Sequence, residues 1–150
     1  MTSMEILIIQ FVMSMAGTIG FAVLFYAPVR DIIWCGLVGA SGWIIYFLLE
    51  THGSNMIVAT TAGAIVLTIF ARILATIRKK PVTVYLVTGI FPLVPGSGIY
   101  YTALYVVKQS QWLALDKLGQ TVGIAAAISF GILLAFIVPQ SWLNRLHRQH

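Results

Sequence analysis

An apolar region bounded by Lys80 and Lys108 contains the run TGIFPLVPGSGIYYT, Thr88 to Thr102, which no uninterrupted helix can hold. Pro92 has no N–H to give the carbonyl of Thr88, and Pro95 has none for that of Phe91. Two such losses within one turn unwind a helix instead of bending it. Gly96 and Gly98 then admit backbone conformations closed to other residues, and Ser97 can cap a new helix through Ile99, Tyr100 and Tyr101. The expected product is a discontinuous span, with carbonyls freed on one side of the break and N–H groups at the start of the second half. Within a bilayer, such backbone survives only when buried in protein or lining a water-filled cavity. A half-helix N-terminus there suits a carboxylate. The simpler alternative is a proline kink that only shapes packing.

Composition supplies the bilayer. Of 150 residues, 59% are hydrophobic and only 9% charged, with mean hydropathy +0.95; a soluble domain is about 25% charged. The chain reads as one all-α, polytopic membrane domain over residues 1–150. A net charge of +5 could suit nucleic acid, but the charges cluster at the ends of apolar runs, as topology signals do. Cys35 is the lone cysteine, so no internal disulfide forms, and its apolar setting marks a packing residue. The N-terminal MTSME lacks a positive n-region, so the first apolar run is expected to be a retained span.

About five spans are expected: 5–27, 32–49, 56–77, 81–107 broken near 92–98, and 119–138. The first carries a small patch, Ala16, Gly17 and Gly20. Arg30 and Asp31 follow it as interface charges, since adjacent residues do not face each other on a helix. Trp34 and Tyr46 of the second are candidates for the aromatic belt. His52, in the polar turn after it, has no second His or Cys nearby and is expected in solvent. Thr60, Thr61, Ala64 and Thr68 give the third a weakly polar side. Arg72, a turn and a half before Arg78, either snorkels to the surface or faces a cavity and attracts an anionic substrate. The fourth reads as one discontinuous crossing, with a re-entrant hairpin as its rival. Residues 108–118 are too polar to span and are expected as a short amphipathic helix on the membrane surface. In the fifth span Gly119, Gly123, Ala127, Gly131 and Ala135 recur every four residues, a helix-packing stripe whose neighbour the pattern does not identify. The tail beyond Pro139, with Trp142, Arg145, His147, Arg148 and His150, reads as interfacial and then solvated.

Five crossings put Arg30, Arg72, Arg78, Lys79, Lys80, Arg145 and Arg148 on one side and only Lys108 and Lys117 on the other. The richer side is the cytoplasmic one, with the N-terminus outside. All four acids, Glu5, Asp31, Glu50 and Asp116, fall at span ends or in turns. If the path is proton-driven, its coupling acid is therefore expected on a different polypeptide. There is no HExxH, CxxC, GxSxG or phosphate loop, and Ser97 has no His or Asp at comparable depth to activate it. Neither an enzyme nor a metal or cofactor site is indicated.

The run GIFPLVPGSGIYYT, Gly89 to Thr102, resembles the signature of the threonine/serine exporter family. Weaker matches are Gly20–Phe21, Pro28 to Arg30 with Trp34 following, the basic turn ending in Pro81, and the small-residue last span. The chain is most similar to the small subunit of the split two-protein form, the counterpart of the C-terminal half of fused members. The resemblance implies a bacterial inner-membrane exporter of small amino acids or dicarboxylates, threonine/serine or succinate-like. It also implies a larger membrane subunit of the same exporter as partner, and five spans from an outside N-terminus. The family motif falls on Pro92, Pro95, Gly96 and Gly98, with Tyr100, Tyr101 and Thr102 following.

On this reading Gly96 to Ile99 offer N–H groups to a substrate carboxylate. Tyr100, Tyr101 and Thr102 line the path, and the freed carbonyls of Thr88 and Phe91 take an ammonium or water. Two alternatives stand beside it: a non-transporting scaffold or regulator, and a homo-oligomeric channel or carrier joined through the fifth-span stripe.

Overall fold

The computed structural model describes residues 3–139, all of whose regular structure is helical. The helices are α1 (Ser3–Leu24), α2 (Ile32–Thr51), α3 (Met56–Arg78), α4 (Val82–Gly89), α5 (Gly96–Val107) and α6 (Gln111–Ile137). Four of them, α1, α2, α3 and α6, are long and apolar enough to cross a membrane; α4 and α5 together make a fifth candidate. The tail beyond Pro139 lies outside the described residues.

Local chemistry sets the boundaries. Beyond α1, Tyr26 takes a left-handed φ of 54°, and Pro28 keeps the chain from re-entering the helix. The Asn55 side chain accepts from the Ile57 N–H at 3.0 Å and so starts α3. At the other end Lys79 sits at φ 53°, and the Lys80 N–H reaches back to the Ala75 carbonyl at 3.1 Å, a left-handed closing turn that Pro81 then seals.

Packing runs α1 on α2, α2 on α3 and α3 on α6, with α4 against α2 and α3, and α5 against α6. Without a solvent-driven hydrophobic force inside lipid, such helices need close backbone approach, and glycines supply it. A Cβ on Gly63 would lie 2.7 Å from the Gly42 carbonyl, and one on Gly131 2.7 Å from both Ala64 Cβ and the Thr61 carbonyl. Buried hydroxyls are satisfied within their own helices: Thr18 donates to Ser14 O at 2.8 Å and Thr68 to Ala64 O at 2.6 Å. The last-span stripe is thereby resolved. Ala127, Gly131 and Ala135 are buried, Gly131 directly against α3, whereas Gly123 meets only Ile57 at 3.7 Å and Gly119 meets nothing within 4 Å.

Two expectations change here. Residues 111–118 are not a separate helix; they are the first turns of α6, which runs unbroken from Gln111. Its 27 residues reach about 40 Å at 1.5 Å each, longer than a ~30 Å core, so the polar turns need no break to leave the apolar layer. Tyr46 is not a belt residue: it is 8% exposed, its ring 5.2 Å from that of Trp43, and both face inward. Trp34 does sit near one end, its ring under the Arg78 guanidinium at 5.6 Å.

The broken span is present. α4 ends at Gly89, a 3-10 turn holds Phe91–Leu93, and α5 starts at Gly96. The two arms are bent by 52°. Each arm measures about 18 Å, so the bent pair still spans about 32 Å, enough for a ~30 Å core. Both arms continue in one direction, the geometry of one discontinuous crossing; a re-entrant hairpin needs near reversal.

Candidate substrate cavity at the broken span

The break lies on a cavity of about 490 Å³. Its near wall is Pro92, Leu93, Val94, Pro95, Gly96, Ser97 and Gly98, with Tyr101 one turn along α5. The far wall comes from three other helices: Trp43 and Tyr46 of α2, Met56 and Thr60 of α3, and Lys117, Gln120, Thr121 and Ile124 of α6. Gly98 makes the α5–α6 corner possible, because a Cβ there would collide with Thr121 Oγ1. Gly96 faces open space, with nothing within 4 Å of where its Cβ would be.

The N-terminus of α5 supplies fewer donors than expected. The Gly96 N–H already donates to Val94 O at 2.8 Å, and the Ile99 N–H to Pro95 O at 3.1 Å. The N–H groups of Ser97 and Gly98 have no acceptor among the described residues. They carry the positive end of the helix dipole. Ser97 is not the cap: the capping position is Pro95, with no side-chain cap bond, and Ser97 lies in the first turn. The break is thus made by the two prolines, with the helix restarting two residues earlier than a serine cap would place it. Nor is the Phe91 carbonyl free, since it accepts from the Val94 N–H at 3.1 Å within the 3-10 turn.

Of the other residues expected along the path, Tyr101 alone joins these motif residues in the cavity wall. Tyr100 and Ile99 point away and are 62% and 57% exposed, and Thr102 turns its hydroxyl to Gly98 O at 2.8 Å. Phe91 stacks on Phe21 at 3.7 Å and lines a second groove, about 230 Å³, against α1. Thr88 is buried one turn before the break, its hydroxyl on the carbonyls of Val84 and Tyr85.

Arg72 neither snorkels nor meets the cavity. It is 3% exposed, donates from Nη1 to the Ala135 carbonyl at 2.5 Å, and lies 5.2 Å over the Phe136 ring. That carbonyl is in the last turn of α6, where helix carbonyls lack internal partners, so Arg72 caps α6 from α3 and meets the negative end of its dipole. Arg72→Leu is accordingly expected to cost about 2 kcal/mol of stability and to leave ligand binding in the cavity unchanged, measured by thermal melting in detergent beside a binding assay.

Lys117 is the residue that sequence reasoning missed, having been counted only for topology. It reaches the cavity wall, donating to Gln120 Oε1 at 2.9 Å, and Gln120 in turn donates to Asp116 Oδ2 at 2.9 Å. Lys117, Gln120, Thr121 and Ile124 occupy positions i, i+3, i+4 and i+7, one helix face that exists because α6 is continuous from Gln111. The cavity therefore combines one ammonium, two unpaired backbone donors, the hydroxyls of Thr60 and Thr121, and aromatic walls. Among the described lining residues there is no carboxylate. Such a set has donors of the kind that bind a carboxylate.

A family model described as Threonine/Serine exporter, ThrE, matches residues 10–138. No solved structure matches the chain.

Proposed function

Because the chain belongs to the threonine/serine exporter family, and so to a family of multi-pass membrane transporters, we propose that the cavity at the break is its substrate path. The substrate is threonine, serine or a small dicarboxylate of similar size. The observation that carries the reading is convergence: Pro92, Pro95, Gly96, Ser97, Gly98 and Tyr101 line one cavity together with Lys117. The substrate carboxylate lies between the Lys117 ammonium and the free N–H groups of Ser97 and Gly98, while Thr60 and Thr121, whose hydroxyls donate to the carbonyls of Met56 and Lys117, offer their oxygens as acceptors to the remainder.

The exporter works with a larger membrane subunit. Three features favour this over action alone. The described cavity lining offers no acid to an ammonium, α5 buries none of its residues, and Gly17 and Gly20 of α1 face open space. The small-residue patch on α1 thus fits a helix from outside the chain. By the distribution of basic residues, the α2–α3 turn and Met56 of the cavity wall lie on the outer side of a bacterial inner membrane. The starts of α2 and α4 then lie on the cytoplasmic side.

Lys117→Gln tests the substrate reading. Loss of one charge-assisted hydrogen bond weakens carboxylate binding about tenfold, so the apparent KM for export rises by that factor while protein level and maximal rate change little. An unchanged KM removes Lys117 from the binding site.

A further inference from the structure

Met56, in the cavity wall, begins α3, and Arg78 ends it, about 33 Å away along the helix. Toward that far end, below the break, α4 packs against α2 and α3, and polar groups hold it there. Asp31, on the short turn before α2, is 1% exposed and accepts from Arg78 Nε and, at 2.9 Å, from the hydroxyl of Tyr85. Tyr85 is wholly buried on α4. Arg78 also donates from Nη2 to the Arg30 carbonyl at 3.1 Å. One carboxylate therefore ties α2, α3 and α4 together. Asp31, expected as an interface charge, is enclosed there by Arg78 and Tyr85, 47 and 54 residues away in sequence.

α4 is bounded by a backbone break on each side. It has eight residues, two turns. Before it come the left-handed Lys79 and Pro81, and after it the double-proline break, so backbone changes on either side can be absorbed without unwinding it. Its upper end packs tightly, a Cβ on Gly89 falling 2.7 Å from Val38 Cγ1. Its lower end is tied by a hydrogen bond to a buried charge. A contact of that kind is strong when made and lost outright when broken, as a two-position element requires.

We propose that α4 is the inner gate of the export path and that Asp31 and Tyr85 are the positioning residues that hold it shut. The present structure has the gate closed, with Met56 of the cavity wall 44% exposed at the opposite end of α3. Opening swings α4 away from α2 and connects the cavity to the side carrying Arg30, Arg78 and Lys80. This inference rests on the cavity being the path, but its test does not depend on transport.

Thr88 is 2% exposed and lies on α4 between Tyr85 and the break, its hydroxyl on the Tyr85 carbonyl at 3.2 Å, so it reports the gate. In a Cys35→Ala background carrying Thr88→Cys, a membrane-impermeant thiol reagent is added to inside-out vesicles, with whatever partner subunit the cell supplies. Labelling is slow with the gate intact. Tyr85→Phe, which removes a single hydroxyl, is expected to speed it about tenfold, the shift that follows from losing one hydrogen bond to a carboxylate. Asp31→Asn is expected to act in the same direction. A second reporter, Thr68→Cys, fully buried within α3, stays unlabelled throughout. Unchanged labelling of Thr88→Cys with Tyr85→Phe present at normal membrane level overturns the gate. So does labelling of Thr68→Cys that rises in parallel, because that marks general loosening. If Asp31→Asn fails to insert, Tyr85→Phe alone decides.

Discussion

Gly96→Leu leaves the protein in the membrane at its normal level and abolishes export of threonine and serine. Gly96 is at the first position of α5 and has nothing within 4 Å of the site of a Cβ, so the new side chain meets no backbone and displaces no packed neighbour. Gly96 lines the cavity with Ser97 and Tyr101, opposite Lys117 and Thr121, so the new side chain is expected to fill that space. Four added carbons take the place of water and of the substrate carboxylate. They also shield the Ser97 and Gly98 N–H groups, whose attraction for an anion depends on direct contact. Export is expected to fall by two orders of magnitude or more. Gly96→Ala, smaller, falls between. Normal efflux by Gly96→Leu removes the cavity from the path and favours the scaffold reading, in which the break only shapes an interface.

Gly131→Leu has the opposite profile: it destroys the fold before any transport can be measured. The Cβ alone would lie 2.7 Å from the Thr61 carbonyl and from Ala64 Cβ, and both belong to the buried seam of α3. No flexible side chain is there to yield, so α6 must separate from α3, with a loss of about 3 kcal/mol or more. The same movement pulls Ala135 from Arg72, leaving a buried guanidinium without its carbonyl. The expected result is little or no monodisperse protein in mild detergent. Gly119→Leu, in the same stripe but facing open space, keeps the monomer folded and reports on contacts with another chain.

The sequence made the architecture legible to the extent that apolar run length decides it. The three spans beginning near Glu5, Ile32 and Met56 and the break at Pro92 and Pro95 follow from hydropathy and from the missing proline N–H. It was less informative wherever the partner is distant in the chain. Arg72 reads as a surface or cavity charge until the last turn of α6, 63 residues on, is brought beside it. Asp31 reads as an interface charge until Arg78 and Tyr85 close over it. Ser97 has the right chemistry for a cap, but Pro95 already fixes where α5 begins. The site was half readable. The motif wall is local and visible; the opposing wall, from Trp43 to Thr121, comes from three helices whose proximity only packing establishes.

The central claim is that the break faces water and substrate, not lipid or packed protein. Ser97→Cys in a Cys35→Ala background tests it most directly, since a charged thiol reagent reacts only with a thiolate in water. Rapid labelling of the intact exporter, slowed in proportion to added threonine or serine, is the expected result. A thiol that stays unlabelled, or one whose labelling is indifferent to substrate at any concentration, contradicts it.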